Sequence, residues 1–204
     1  MLKTGSINLD KDFLYPKALN CIYGEPATGK TTLCLMAAAS EQGKVIFLDT
    51  ENSFSINRIE QIKGRIPDNI FLIKVRDFKE QCKAIENLLK LKGKISLVII
   101  DSLTFHYRKE LQEKKDVNSR MSRQLSILSE LAREGIPILA TSQVYATFDN
   151  KINPVGNKML KNWSGCIIRL EKEPRKLIIE KHPENKSLEM GFDIVNEGIS
   201  VSGA

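Results

Sequence analysis

The sequence lacks long hydrophobic runs. No apolar stretch approaches the roughly 18 residues that a membrane-spanning helix needs, and residues 1–5 contain no apolar core of the kind found in signal peptides. Hydrophobic residues make up 42% and charged residues 27% of the 204 residues, which is ordinary for a globular protein. These features predict a cytoplasmic protein without a membrane segment, folded as a single domain over residues 1–204.

Closely spaced cysteines are also missing. The four cysteines lie far apart in apolar surroundings and form no CxxC pair; they are Cys21, Cys34, Cys82 and Cys166. This spacing argues against a zinc site or a disulfide framework. The sequence therefore predicts buried free thiols in a reducing compartment.

Aromatic residues are few, and the charge is unbalanced. Phe, Trp and Tyr together make up 6% of the chain, and the formal net charge is +6. A positive excess permits binding to a polyanion, but lysines scattered over solvated helix faces would give the same total. Charge alone leaves both interpretations open.

The strongest positive signal is a glycine-rich loop between an apolar run and a helical stretch. Its residues are Gly24, Glu25, Pro26, Ala27, Thr28, Gly29, Lys30, Thr31 and Thr32. Strand, glycine loop and helix in this order are the context of a P-loop, whose backbone N–H groups surround a phosphate. The helix dipole adds positive potential, Lys30 can reach the β- and γ-phosphates, and Thr31 can ligate Mg²⁺. The loop therefore predicts a site for a nucleoside triphosphate and Mg²⁺.

Apolar runs alternate with helical patterns as far as residue 141. We expect strands at 18–23, 45–49, 70–75, 96–101 and 136–141, and helices at 30–42, 55–63, 78–92 and 119–134. Gly43, Gly64, Gly93 and Gly135 each follow a predicted helix, where glycine is common as a C-terminal cap. This alternation predicts a three-layer α/β fold with a mostly parallel sheet, which binds ligands at the carboxyl ends of its strands.

The pattern is less regular in two loops and at the C-terminus. Segments 107–118 and 148–162 are polar and non-periodic, and we expect loops there. Short apolar runs at 166–170, 177–181 and 192–195 are typical of strands, and their spacing leaves no room for crossover helices. The C-terminal end of the sheet is therefore expected to be antiparallel.

Three polar residues follow predicted strands. Asp101 ends the run 97–100 in the manner of a Walker B aspartate and would hold Mg²⁺ directly or through water, although a helix cap could use the same residue. Glu51 can polarise a water beside the γ-phosphate, and Gln143 can hydrogen-bond the phosphate or that water. From the residues alone, a solvated loop glutamate and a turn glutamine remain equally open interpretations.

Several motifs occur together in the order found in one family. The segments Asp49-Thr50-Glu51-Asn52-Ser53-Phe54, Ile100-Asp101-Ser102-Leu103-Thr104 and Thr141-Ser142-Gln143-Val144, followed by Pro154-Val155-Gly156, resemble the ATPase core of the RecA/RadA recombinases. The resemblance extends over residues 4–199. The short chain, which has no N-terminal helical DNA-binding domain, resembles the archaeal RadB subfamily of RadA paralogues, as do segments 162–164 and 169–172.

The resemblance implies an ATP-binding, weakly ATP-hydrolysing protein that binds DNA, single-stranded DNA above all, in homologous recombination and DNA repair. Glu51, Lys30 and Gln143 would form the catalytic set, with Gln143 sensing the nucleotide, and Arg58 would stack on adenine. Loops 108–118 and 148–161 would face DNA; their basic residues are Arg108, Lys109, Lys114, Lys115, Lys151, Lys158 and Lys161. The implied protein partners are a RadA recombinase and a Holliday-junction nuclease.

Aromatic residues are scarce in and beside these two loops. They are Tyr107, Tyr145, Phe148 and Trp163, so we expect stacking on bases to be modest. We expect Trp163 to lie in the core.

Some features of the family are absent. Leu14-Tyr15-Pro16-Lys17 stands in place of a glycine-rich segment, Gly156-Asn157 in place of a double glycine, and Asn162 in place of a common histidine. The linker through which recombinases polymerise has no room before residue 1. These departures argue against a long filament and against strand exchange, and the oligomeric state stays open. Two alternatives remain: a nucleotide-switched regulator without hydrolysis, and a small P-loop phosphotransferase with basic residues on a lid.

Overall fold

The chain forms a series of alternating strands and helices. The computed structural model describes residues 2–12, 17–112, 115–147 and 151–201, except for the side chains of Asn8, Lys11 and Asp12. The strands are β1 Leu19–Gly24, β2 Val45–Asp49, β3 Ile70–Lys74, β4 Leu97–Asp101, β5 Ile138–Ser142, β6 Val144–Ala146, β7 Ile152–Pro154, β8 Cys166–Lys172, β9 Arg175–Lys181, β10 Glu189–Val195 and β11 Gly198–Val201. The helices are α1 Ile7–Asp12, α2 Lys30–Ser40, α3 Ile56–Lys63, α4 Phe78–Leu88, α5 Phe105–Glu110, α6 Val117–Arg133 and α7 Asn157–Trp163, with a 3₁₀ turn at Leu89–Leu91. None of the described helices is long and apolar enough to cross a membrane.

Nine strands form one sheet in the order β11-β10-β9-β8-β1-β5-β4-β2-β3. The six strands from β8 to β3 run parallel, and β9, β10 and β11 continue the sheet in antiparallel pairs. The prediction of antiparallel C-terminal strands is therefore confirmed for β9 to β11. It is wrong for one edge of β8, which pairs parallel with β1 and antiparallel with β9. Strands β6 and β7 form a separate antiparallel hairpin.

Helices cover both faces of the sheet, which gives three layers. Alternate residues of the buried strands point to opposite faces, because side chains alternate along a strand. Ile46, Val98 and Ile138 belong to a core with α4 and α6, whereas Phe47 and Leu139 belong to a core with α2 and α3. Burial on both faces explains why these strands read as continuous apolar runs.

The predicted loop at 107–118 is wrong, because it contains the end of α5 and the start of α6. Tyr107 is 3% exposed, and its hydroxyl donates to Asn118 Oδ1 over 2.7 Å. A six-residue helix with two consecutive buried residues, His106 and Tyr107, is too short to show helical periodicity. Tertiary packing, which the local pattern does not reveal, holds this segment.

The predicted loop at 148–162 is also wrong in part. Within its described residues lie β7 and most of α7, and α7 is anchored by Leu160, which is 0% exposed. Three further short elements escaped prediction, namely α1, β6 and β11. The four cysteines are free as predicted, and all except the half-buried Cys82 are buried.

Glycine ends only some of the helices in the predicted way. Gly64 is left-handed, with φ +73°, and caps α3, which confirms its prediction. Gly43 is different, because α2 already ends at Ser40. A Cβ atom at Gly43 would lie 1.9 Å from Ser96 Oγ, so a close approach between the turn before β2 and the start of β4 requires glycine there.

Replacing Gly43 by alanine is expected to lower the free energy of unfolding by about 1–3 kcal/mol, because the new methyl group overpacks this contact. The matched control is Gly64→Ala, which has no atom within 4 Å of its Cβ and should cost about 1–2 kcal/mol through backbone strain alone. Ser96→Gly should relieve the first substitution and not the second. Urea unfolding measures all of these variants, and an unrelieved Gly43→Ala would contradict the close-approach explanation.

Candidate functional site

The polar residues singled out from the sequence meet at one edge of the sheet. The P-loop follows β1, Glu51 follows β2, Asp101 ends β4, and Gln143 follows β5. These four strands are neighbours and parallel, so their carboxyl ends lie side by side. Such an edge is where open α/β sheets bind ligands.

The P-loop has the backbone that a phosphate site needs. Gly29 is left-handed, with φ +103°, and immediately precedes α2. No side chain caps the first N–H groups of α2, and its first turn contains no acidic residue. A Cβ atom at Gly24 would lie 2.3 Å from Leu170 O, so only glycine fits against β8. The N-terminal N–H groups of α2 thus keep their partial positive charge for an anion.

Lys30 is held over the loop by the loop itself. Its Nζ donates to the carbonyl oxygens of Gly24 and Glu25, each at 2.8 Å. Burial lowers the pKa of the Lys30 ammonium, and the carboxylates of Asp101 and Glu51 oppose that shift. The arrangement places a partly desolvated cation at the mouth of the loop, where it is electrostatically stronger than it would be in water.

The Asp101 side chain accepts hydrogen bonds from three hydroxyl groups. Its Oδ2 accepts hydrogen bonds from Thr31 Oγ1 at 2.7 Å and from Ser53 Oγ at 3.0 Å, and its Oδ1 accepts one from Thr141 Oγ1. Asp101 is 4% exposed, and Thr141 is 0% exposed. Because the Thr31 hydroxyl donates its hydrogen bond to Asp101, the lone pairs of the Thr31 oxygen can bind a cation. The residues present therefore fit Mg²⁺, with Thr31 as the direct ligand and Asp101 acting behind it.

The turn after β2 is ordered by Asp49. Its carboxylate accepts hydrogen bonds from the backbone N–H groups of Ser53 at 3.0 Å, Phe54 at 3.2 Å and Glu51 at 3.3 Å. This turn leaves the Glu51 side chain exposed at the strand ends. An open cavity of about 770 Å³ lies beside Glu51 and is lined by Lys74, Arg76, Phe105 and Lys109 rather than by the P-loop.

Gln143 links Glu51 to the β6–β7 hairpin. Its Nε2 donates to Glu51 Oε1 at 3.3 Å. Its backbone N–H donates to Thr104 Oγ1 at 2.9 Å, and its carbonyl accepts from the Val155 N–H at 2.8 Å. Gln143 therefore contacts Glu51 through its side chain and the base of the hairpin through its backbone.

Arg58 lies apart from the cluster around Asp101. Its guanidinium donates to Val195 O at 2.6 Å and to Asn196 O at 3.0 Å, in the turn between β10 and β11. Ile194, from the same hairpin, would lie 3.1 Å from a Cβ atom at Gly29. Arg58 is thus connected to the P-loop through the C-terminal hairpin, and its role toward adenine stays a prediction.

The predicted DNA-facing residues Arg108, Lys109 and Lys151 lie beside the same edge. Lys161 lies elsewhere, because α7 leads toward the amino ends of β1 and β8, where the Gly165 N–H donates to Leu19 O and Lys181 Nζ donates to Lys161 O. Arg108 Nη1 donates to Val144 O at 3.3 Å, which joins α5 to β6, and the Lys109 ammonium lies 3.9 Å from the centre of the Phe105 ring. The remaining described lysines of this set are exposed, namely Lys115, Lys151, Lys158 and Lys161. Lys114 and Phe148 lie outside the described residues. Trp163 is half-buried against the core, in agreement with its prediction.

Sequence reasoning missed Ser53, Thr141 and Arg175. Ser53 and Thr141 belong to the motifs quoted above, close to the ends of β2 and β5. Their position in those motifs could have indicated that they belong to the site. Arg175 starts β9, and its Nη1 donates to Ala27 O in the P-loop at 3.1 Å. No local pattern indicates this contact, because it joins residues that are far apart in the sequence.

Thr141→Val tests the support of Asp101. The substitution keeps the size of the side chain and removes one donor from a buried carboxylate, so the free energy of unfolding should fall by about 1–3 kcal/mol. Ser53→Ala is the matched control, because water can replace its half-buried hydroxyl, and its cost should be smaller. Urea unfolding measures the stability of both variants. If both lose the same free energy of unfolding, the buried hydroxyl of Thr141 is no more important for stability than the half-buried hydroxyl of Ser53.

Comparison with known proteins gives one consistent family. A family model described as Rad51 matches residues 1–202. A DNA repair and recombination protein RadB from Methanococcus maripaludis is 38% identical over 200 residues, which cover 91% of this chain and 92% of the relative. A RadB from Methanocaldococcus jannaschii is 36% identical over 194 residues, covering 88% and 91%. A crystal structure of the RadB recombinase superposes with a TM-score of 0.83 at 32% sequence identity and covers 98% of both chains. These matches confirm the resemblance carried by the motifs and the RecA-like fold, and the chain belongs to the Rad51 family.

Proposed function

We propose that this protein binds and weakly hydrolyses ATP, binds DNA, and acts in homologous recombination and DNA repair as a RecA/RadA paralogue. The observation that carries the proposal is the 2.7 Å hydrogen bond from Thr31 to Asp101 beside Lys30, at the carboxyl edge of a parallel sheet. Membership of the Rad51 family and the names of the relatives support the recombination role.

The nucleotide would be held by the loop 24–32. Its backbone N–H groups and the start of α2 would surround the phosphates, and Lys30 would exchange its bonds to loop carbonyls for bonds to phosphate oxygens. Thr31, oriented by Asp101, would hold Mg²⁺, which supplies charge neutralisation when bound. Arg58 would contact the adenine.

Hydrolysis would depend on Glu51 and Gln143. The Glu51 carboxylate is exposed at the strand ends and can accept a proton from, or orient, an attacking water. The Gln143 amide, 3.3 Å from Glu51 Oε1, can orient the same water and pass a change in the nucleotide to the β6–β7 hairpin. Lys30 would stabilise charge that develops on the transferred phosphoryl group.

Glu51→Gln is expected to lower ATP turnover by about 10²-fold or more, with and without single-stranded DNA, because the amide cannot accept a proton. Nucleotide affinity should change little, because Glu51 does not belong to the phosphate loop. The matched control is Glu60→Gln, an exposed carboxylate on α3. A steady-state phosphate-release assay and equilibrium binding of a fluorescent ATP analogue measure the two effects.

Unchanged turnover in Glu51→Gln would contradict the assignment of Glu51. If the unaltered protein binds ATP and shows no turnover in either condition, the regulator without hydrolysis replaces the ATPase. Phosphoryl transfer to an added nucleoside or nucleotide would favour the phosphotransferase instead.

DNA would meet the basic residues of α5, the start of α7 and the β6–β7 hairpin. Strands β4 and β5 are adjacent, so the segments that follow them share one face, next to the nucleotide site. The exposed cations of this face can neutralise phosphates along a single strand. We further propose that a RadA recombinase and a Holliday-junction nuclease are its protein partners. We also propose that the protein is located in the cytoplasm.

Replacing Lys115, in the turn before α6, and Lys158, at the start of α7, together by alanine is expected to weaken binding of single-stranded DNA, because both lysines are exposed. It should also reduce the slope of log K against log salt by about 0.7 for each phosphate that the variant no longer neutralises. The matched control replaces Lys90 and Lys94, two exposed lysines near the start of β4 at the opposite edge of the sheet. Fluorescence anisotropy across a salt series measures the slopes, and a flat salt response of the unaltered protein would contradict the basic face as the site.

A further inference from the structure

We propose that Tyr145 is a stacking platform for a base of single-stranded DNA. The proposal rests on the proposed DNA binding and adds what lysines and arginines do not supply here, an aromatic contact to the base itself. The observation behind the proposal is an exposed aromatic ring on strand β6, in a hairpin that also contacts Arg108 and carries Lys151.

Exposure separates Tyr145 from the other aromatic residues. Among the residues that the structure describes, only two aromatic residues are exposed, Tyr145 at 41% and Phe71 at 46%. Phe71 lies on β3, the outermost strand at the other side of β2 and β4. Tyr145 is therefore the exposed ring next to the basic loops.

The neighbouring rings on this face already have partners. Tyr107 is 3% exposed and hydrogen-bonded to Asn118. Trp163 packs against the core from the end of α7. Phe105 is half-buried and carries the Lys109 ammonium on its face. Each of these three rings already makes a contact within the protein, and each is less exposed than Tyr145.

Strand pairing and two hydrogen bonds hold the backbone around Tyr145. Tyr145 pairs with Asn153 in the antiparallel hairpin. The preceding carbonyl, of Val144, accepts from Arg108, and the carbonyl of Gln143 accepts from the Val155 N–H at the root of the hairpin. A ring that is exposed on an ordered backbone loses little conformational entropy when a base stacks on it.

Charge around the hairpin favours a nucleic acid over an apolar protein surface as the occupant. Arg108 approaches β6 on one side, and Lys151 lies across the hairpin from it, where the Lys151 carbonyl accepts from the Thr147 N–H at 2.9 Å. A hairpin that carries both an exposed ring and nearby cationic residues matches a single strand, whose phosphates alternate with exposed bases. Base stacking is tolerant of sequence, so the platform predicts binding with little sequence preference.

The experiment compares an oligothymidine of fixed length with the same oligonucleotide carrying abasic sites, which keeps the phosphates and removes the bases. Anisotropy in the presence of ATP and Mg²⁺ gives the dissociation constants. Tyr145→Ala should weaken binding to oligothymidine by about fivefold or more, the lower limit for loss of one stacked base. It should weaken binding to the abasic strand much less and leave the salt slope unchanged, because Tyr145 neutralises no phosphate.

Three variants make the result specific. Tyr145→Phe keeps the ring and should bind like the unaltered protein, whereas Tyr145→Leu keeps apolar area without a ring and should resemble alanine. Phe71→Ala removes an equally exposed ring from the outermost strand and should leave both constants unchanged. Thermal unfolding and ATP-analogue binding confirm that each variant is folded.

The outcomes separate the platform from DNA binding in general. If the protein binds DNA with a steep salt slope and Tyr145→Ala equals the unaltered protein on both strands, the platform is overturned and the proposed function stands. If Tyr145→Ala weakens binding to oligothymidine and to the abasic strand equally, stacking on a base is overturned as well. If the unaltered protein binds neither strand, the DNA-binding part of the proposed function fails, and the platform fails with it.

Discussion

The site depends on the hydrogen bonds that the Asp101 carboxylate accepts. It ends a central strand and accepts hydrogen bonds from hydroxyl groups on three different elements, α2, the turn after β2, and β5. Bonds to an ionised acceptor are stronger than neutral ones, and a buried carboxylate without donors is costly. The same contacts that solvate Asp101 therefore fix the P-loop, the Glu51 turn and the strand before Gln143 relative to one another.

Most of the fold was predictable because its central strands are buried on both faces. Such strands leave continuous apolar runs in the sequence, and β2 has the predicted bounds, 45–49. The segments that escaped prediction are short and held by distant contacts. Helix α5 depends on the burial of His106 and Tyr107, and α7 depends on Leu160, neither of which produces a periodic signal. Gly43 was predicted to be a helix cap, whereas its close contact with Ser96 is what requires glycine. Ser96 lies far from Gly43 in the sequence, so the local pattern did not reveal this contact.

The site was predictable where function is local in sequence. The P-loop and the polar residues at strand ends follow from motif and topology together, and the structure brings Lys30, Thr31 and Asp101 into one cluster. The contacts of Arg58 and Arg175 were not predictable from the residues, because they depend on where the C-terminal strands lie. The same holds for Tyr145, whose exposure follows from its place on a hairpin separate from the main sheet.

The C-terminal strands hold the phosphate loop from behind. Arg175, at the start of β9, holds the carbonyl of Ala27, a residue in the left-handed region with φ +64°, and the hairpin of β10 and β11 lies against Gly29. The C-terminal strands thus support the P-loop. A nick in the turn between β8 and β9, or a label inserted there, would disturb the conformation of the P-loop although every P-loop residue remained in place.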